Sequence, residues 1–269
     1  MSQEPGRTAA RPKIVSGTPE PQPSANEALI NPSRGKSEAS VSARVILTFV
    51  RPDYQYLCRL VQAEASPRYL WECALREGLW EGRPITIVAP AMGAPYAVMV
   101  LEKLIALGAR MVLALGWCGS LQPGVCNGDL LLPTLAVAGE GTSRHYSQGD
   151  GDPTPAAALT ARLQQTLKNS DLPWHAGPIW TTDAVFRETV DLVQHYQAQG
   201  VLGVEMEMSA LFAVGRFRQV PVAGLLVVSD ELATLSWQPG YRSERFRQAR
   251  EQAARLVLDV AAQWEADHV

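Results

Sequence analysis

The stretch GVEMEMSALFAVGRFRQVPVAGLLVVSD, residues 203–230, joins a helical pattern to a buried-strand pattern and places a carboxylate in each. Glu207, Ala210, Leu211 and Val214 recur at the i, i+3, i+4, i+7 spacing of one helix face, so the spacing predicts a helix whose core-facing stripe begins with Glu207. An unpaired carboxylate is costly to bury, so that position calls for hydrogen-bond donors from protein or ligand, and the hydroxyls of a sugar would serve. The run 222–228 carries no charge, is rich in Val and Leu and is opened by Pro221, as in a strand covered on both faces of a parallel or mixed sheet. Asp230 then falls just past the carboxyl end of that strand, where open α/β sheets bind ligands. Taken singly, Glu205 and Glu207 read as an acidic helix start and Asp230 as the cap of a following helix. Taken together on one ligand, Glu207 and Asp230 read as a site.

The pattern continues outward in both directions as alternating strands and helices. Strands are expected at 45–50, 85–89, 111–115, 130–138 and 176–181, and helices at 54–63, 94–107, 155–167, 190–199 and 243–264. Gly108 stands where a helix-stopping glycine belongs, and the last helix carries Phe246, Ala249, Ala253, Leu256, Val257, Val260 and Trp264 on one side. This alternation predicts an α/β fold, a single domain with a twisted mixed β-sheet flanked by helices, over residues 41–269. Residues 1–40, rich in Pro, Ser, Gly, Glu and Arg without apolar periodicity, read as a disordered N-terminal tail.

With 46% hydrophobic residues in 269, the chain can bury one substantial core. A formal net charge of −3 with scattered Lys and Arg leaves no electrostatic footprint for nucleic acid or an anionic membrane, so a small-molecule partner is expected. Cys58, Cys73, Cys118 and Cys126 lack CxxC spacing and nearby His, which indicates neither a zinc site nor a disulfide framework and fits a reducing cytoplasm. No run has the length and apolarity of a membrane span, and the N-terminus lacks the apolar centre of a signal peptide. A cytoplasmic protein without metal or cofactor is the expectation.

Four loops carry more chemistry than a plain turn uses. GWCGS at 116–120 reads as a glycine turn after a buried strand, where Gly116 and Trp117 would meet a ligand. It lacks the GxGxxG and GxxxxGK[ST] spacings of dinucleotide and triphosphate sites. PAMGAP at 90–95 places Gly93 before a helix, where anions are favoured, although Pro95 removes one donor. GEGTSRHY at 139–146 gathers Glu140, Ser143 and His145, and WTTDAVFRE at 180–188 sets Phe186 and Arg187 where they would flank a planar base by stacking and hydrogen bonding. A tight turn, a polar surface loop and an N-terminal helix charge at Glu188 are the structural alternatives.

The motifs GVEME (203–207), VVSD (227–230), GWCGS, GDLLLP (128–133) and EGTSRHY (140–146) together resemble the nucleoside phosphorylase family, which includes purine nucleoside phosphorylases, uridine phosphorylases and methylthioadenosine nucleosidases. The resemblance runs from about 44 to 264. It implies cleavage of the N-glycosidic bond of a nucleoside by a homo-oligomer, a dimer or a trimer of dimers, with inorganic phosphate as co-substrate. Carried over by position, Glu207 would hold the ribose hydroxyls, Met206 would pack on the sugar and Asp230 would protonate the leaving base. Arg245 in YRSERF would assist Asp230, and Glu205 and Ser143 would join the substrate site.

The family's phosphate residues are altered. An arginine and a serine or threonine of the phosphorolytic members align with Ala114 and Trp117, and the GDPxR motif is replaced in FVRPDYQYLCR, which leaves Arg51 and Gly93 as the phosphate candidates. Arg68 or Arg76 would lend charge to a neighbouring subunit. Two alternatives to phosphorolysis follow: hydrolysis with Trp117 filling the phosphate pocket and Glu205 or Glu207 positioning water, or a nucleoside-binding protein without turnover.

Overall fold

The structure, a computed structural model, describes residues 28–146 and 151–265. Residues 1–27 of the expected tail lie outside the described residues. The compact unit begins at Pro32. Side chains of the domain supply the donors that hold this segment: Lys103 donates to the Ser33 carbonyl at 2.7 Å and pairs with Glu38 at 2.6 Å. Arg68 donates to the carbonyls of Ala39 and Ser40 at 3.1 Å.

The first half of the domain runs β1 (Arg44–Thr48), α1 (Arg51–Leu60), β2 (Arg68–Leu70), β3 (Cys73–Trp80), β4 (Arg83–Ala89), α2 (Ala94–Ala106) and β5 (Met111–Ser120). The second half runs β6 (Leu130–Gly139), α3 (Ala157–Lys168), β7 (Trp174–Thr182), α4 (Val190–Ala198), β8 (Gly203–Glu205), α5 (Met208–Arg218), β9 (Val222–Glu231), β10 (Gln238–Pro239) and α6 (Glu244–Gln263). Short 3-10 turns lie at Ser143–His145 and Val185–Arg187. The strands form one mixed sheet in the order β10-β9-β6-β7-β8-β5-β1-β4-β3-β2, and β5 also pairs with β9. Strands β5, β9, β6, β7 and β8 therefore close on themselves, while β1, β4, β3 and β2 extend from β5 as an open wing.

Strand alternation assigns side chains to two helix layers. Leu47, Val112 and Ala114 pack with Leu101 and Leu104 of α2 and Leu211 and Val214 of α5. Ile46, Leu113 and Leu115 point the other way, toward Leu57 of α1, Leu163 of α3 and Phe246 and Val257 of α6. The predicted apolar side of the last helix is thus the side that packs. Ser243 caps α6 by accepting from the Phe246 N–H at 3.1 Å, and Gly108, at φ 116°, ends α2 with its N–H on the Ile105 carbonyl at 3.0 Å.

Several boundaries differ from the sequence reading for local reasons. GWCGS is the end of β5 and not a turn: residues Gly116 to Cys118 pair in register with Leu226 to Val228 of β9, and the irregularity comes only between Cys118 and Gly119. Gly116 is required by close packing, since a Cβ there would stand 2.8 Å from the Phe49 ring. Asp230 lies inside β9, which continues to Glu231 because β10 pairs with its end. Strands β2, β3 and β8 have no counterpart in the sequence reading. Glu81 and Gly82, both at positive φ, form the two-residue turn that folds β3 back onto β4.

Phe246 is fully buried and meets Trp117 edge-on with ring centroids 4.9 Å apart. Phe246→Ala should destabilise the domain by about 3–5 kcal/mol, read as a lowered urea midpoint with unchanged m-value. A loss below about 1 kcal/mol would contradict this packing.

Candidate functional site

The two carboxylates of GVEME do different things. Glu205 ends β8, and its side chain turns under the start of α5, where Oε2 accepts the N–H groups of Glu207 at 2.6 Å and Met208 at 2.8 Å. These are amides that a helix start leaves without intrahelical partners. The other oxygen accepts the Thr181 hydroxyl of β7, and Thr181 Oγ1 accepts the Ser209 N–H at 3.0 Å. Ser209 Oγ donates to Glu140 at 2.9 Å, and Glu140 also accepts the N–H groups of Thr142 and Ser143. Glu205 therefore acts as a structural clasp joining β7, β8 and α5.

Glu207 is the N-cap residue of α5, with φ −138° and ψ −34°, and does not lie on the helical stripe predicted for it. The physical reason is the Glu205 carboxylate, which captures the N–H of Glu207 and so starts the helix one residue later. The side chain is nonetheless buried, at 4% exposure, and accepts the Gly93 N–H at 2.6 Å. Burial and then the neighbouring Glu205 charge push its carboxyl up to about 8, against the Gly93 hydrogen bond, which works in the opposite direction. Burial likewise raises Glu205, to about 7, despite its three donors. Met206 occupies the bend between β8 and α5, half-buried beside Glu207.

Asp230 is half-buried near the end of β9, accepting the Ser229 hydroxyl at 2.5 Å and the Trp237 indole N–H at 3.0 Å. Gly119 makes room for it, since a Cβ at that position would stand 3.2 Å from Asp230 Oδ2. Burial, followed by the Asp230 charge, pushes Glu188 up to about 7, which marks Glu188 as a carboxyl facing Asp230. No local spacing links Glu188 and Asp230, which lie far apart along the chain. Arg245 is not brought to Asp230: its guanidinium pairs with Asp129, which also meets His175 at 3.0 Å.

A model of the phosphorylase superfamily matches residues 44–262, most of the chain. The chain belongs to the phosphorylase superfamily. Similar relatives include a guanosine phosphorylase of Halorubrum lacusprofundi, 28% identical over 185 residues (67% of this chain, 76% of that protein), and a uridine phosphorylase of Escherichia coli, 26% identical over 198 residues (67% and 76%). The crystal structure of uridine phosphorylase from Vibrio fischeri superposes with a TM-score of 0.77 at 25% identity, covering 86% of this chain and 100% of that one. Purine nucleoside phosphorylase from Toxoplasma gondii, in complex with immucillin-H, shares the fold with a TM-score of 0.76 at 19% identity, covering 83% and 91%.

Within this superfamily member the remaining candidates are dispersed. Ala114 and Trp117 lie on an evenly paired part of β5 and so project to opposite faces. Trp117 turns to the α1 and α6 side, donates its indole N–H to Asp53 at 2.8 Å and stacks beneath Arg250, whose guanidinium is 5.0 Å from the ring. Gly93 spends its N–H on Glu207, and Gly116 is filled by Phe49, so neither presents a ligand-facing backbone as predicted. Phe186, 96% exposed, and exposed Arg187 stand on a surface turn away from packed neighbours. Ser143 is buried beside Glu140. Arg51 is exposed in the first turn of α1, and Arg68 is engaged by Ala39, Ser40 and Glu77 of its own chain. The described residues contain no cluster of three or more His, Cys, Asp or Glu arranged for a metal ion.

The raised Glu207 carboxyl fixes the sign of a stability effect. Between the ordinary value of 4.5 and the folded value of about 8, the native state holds a proton that the unfolded chain releases, so stability falls as pH rises through that window. Glu207→Gln should make the decline shallower by roughly 1 kcal/mol per pH unit, measured by urea denaturation across the window. Parallel profiles for the two proteins would show that Glu207 ionises normally.

Proposed function

We propose that this chain cleaves the N-glycosidic bond of a purine nucleoside or uridine by phosphorolysis. The observation that carries the reading is the Glu207 carboxyl, buried at the N-cap of α5 with Gly93 on one oxygen, inside a chain of the phosphorylase superfamily. Ribose hydroxyls are donors that would draw this carboxyl into its ionised form and compensate its burial. Met206, in the adjoining bend, would pack on the sugar. In the reaction a phosphate oxygen bonds to the anomeric carbon, the C–N bond breaks and its electron pair goes to the base nitrogen. Asp230 would deliver a proton to the base, which makes it a better leaving group.

The geometry of Trp117 favours phosphorolysis over hydrolysis. The hydrolytic alternative had Trp117 filling the phosphate position, whereas its ring is held under α6 by Asp53, Phe246 and Arg250. The same family reading carries a homo-oligomer, a dimer or trimer of dimers, acting in the cytoplasm on free nucleosides without a cofactor. Size-exclusion chromatography with light scattering tests the assembly.

Base release from inosine, adenosine and uridine, assayed with and without inorganic phosphate, tests the reaction. Release should require phosphate and yield a sugar 1-phosphate. Asp230→Asn should lower kcat on purine nucleosides by about a hundredfold with little change in KM, while Glu207→Gln should raise KM about tenfold. Equal release in the absence of phosphate, with free sugar as product, would overturn phosphorolysis.

A further inference from the structure

Asp230 is held by donors other than the arginine that the family resemblance implies. The Ser229 hydroxyl donates to Oδ1 at 2.5 Å and the Trp237 indole N–H to Oδ2 at 3.0 Å. Among the described residues no cation pairs with Asp230. Arg245 is spent on Asp129, and Arg242 lies over the Tyr241 ring at 5.8 Å. Trp237 is 59% exposed, so its ring is not packed as core, and an indole so placed can give its N–H to water. The chain between β9 and α6 folds to bring that N–H back to Asp230 instead. Leu232 donates to the Ser120 carbonyl at 2.9 Å, Leu235 turns at φ 59°, and β10 lays Pro239 opposite Asp230. Gly240 donates to the Ser229 carbonyl at 2.9 Å. Asn127 donates to that carbonyl at 3.1 Å and accepts the Ser243 hydroxyl at 2.6 Å, at the start of α6. Trp237 therefore stands on a segment fixed at both ends, with Tyr241 stacked beside it at 6.5 Å. A leucine at positive φ costs free energy, which those tethers offset.

We infer that Trp237 is the positioning residue for proton delivery by Asp230, in the role that the family resemblance gives to Arg245. The inference rests on the proposed cleavage reaction. Each carboxyl oxygen has two acceptor positions, so Asp230 keeps room for a proton with the hydroxyl and the indole in place. In the step, the Asp230 O–H bond breaks and its electron pair stays on the carboxylate. The proton joins a ring nitrogen of the base while the electron pair of the C–N bond moves into the base. A hydrogen bond to a carboxylate is stronger than one to a neutral carboxyl, so the indole bond tightens as the proton departs and lowers the barrier to that transfer. The indole is a donor only and carries no charge, so it acts through Asp230 and places no cation beside the base.

Steady-state kinetics of the full chain with inorganic phosphate, on two substrates, test this role. The base of inosine needs a proton to leave, whereas the base of 7-methylguanosine is already cationic and leaves without one. Trp237→Phe keeps a ring against Tyr241 and removes the N–H. It should lower kcat on inosine about tenfold with KM unchanged within about twofold, and lower kcat on 7-methylguanosine by less than about twofold. In an Asp230→Asn background the same substitution should change kcat on inosine by less than about twofold, because the bond it removes acts only through the proton that Asp230 delivers. An unchanged kcat on inosine, equal losses on both substrates, a loss confined to KM, or an undiminished loss in the Asp230→Asn background would each overturn the role of Trp237 while leaving phosphorolysis in place. A wild-type chain that releases base from neither purine nucleoside would overturn the proposed purine reaction and this inference with it.

Discussion

The hydrogen bonds that Glu205 makes across the start of α5 set the position of nearly everything else at the candidate site. One carboxylate, buried at 5% exposure, receives two backbone amides of the helix and the hydroxyl of Thr181 on a neighbouring strand. A helix N-terminus offers both unpartnered donors and a favourable dipole end, which offset the loss of hydration. The consequence is positional. With Glu205 fixed to the amides of the next residues, Glu207 can only stand at the cap, and its side chain reaches across to the Gly93 amide before α2. Ser209 then carries the connection on to Glu140, so three buried glutamates are joined through short polar side chains and backbone amides.

That network sits at a place created by the closure of the sheet. Strand β5 pairs with β1 along one edge and with β9 along the other, then turns its last residues onto β8. Such a long strand must pass close to two neighbours, and the glycines at Gly116 and Gly119 are where Phe49 and Asp230 come too near for a side chain. The glycines that read as a ligand-binding turn thus serve the strand itself. The same regular pairing separates Ala114 from Trp117, one facing α2 and α5 and the other facing α6. Three residues apart on one strand, Ala114 and Trp117 thus stand in two different environments.

Much of this architecture was legible in the residues. The helices α2 and α6 announced themselves by long apolar stripes, and β6 and β9 by uncharged runs, because these elements bury wide continuous surfaces. Burial of Glu207 and the placing of Asp230 near a strand end were also readable. The three-residue β8 was not, since no periodicity can be seen over so short a span, and β3 is interrupted by the charged Arg76 and Glu77. The Glu81–Gly82 turn was a usable signal for that hairpin. Contacts such as Asp53 with Arg250, or Arg245 with Asp129, join residues more than a hundred positions apart and leave no trace in local spacing. Glu140 was visible only as one polar residue in a polar loop, and its burial depends on Ser209 arriving from α5.

Charge is sorted on the two sides of the turn between β4 and α2. On one side stand Glu205 and Glu207, both raised by burial so that neither carries a full negative charge near neutrality. On the other stand Arg51, Arg59 and Arg76, without ion-pair partners among the described residues. One short loop links the two sides, and its Gly93 amide belongs to the acidic side.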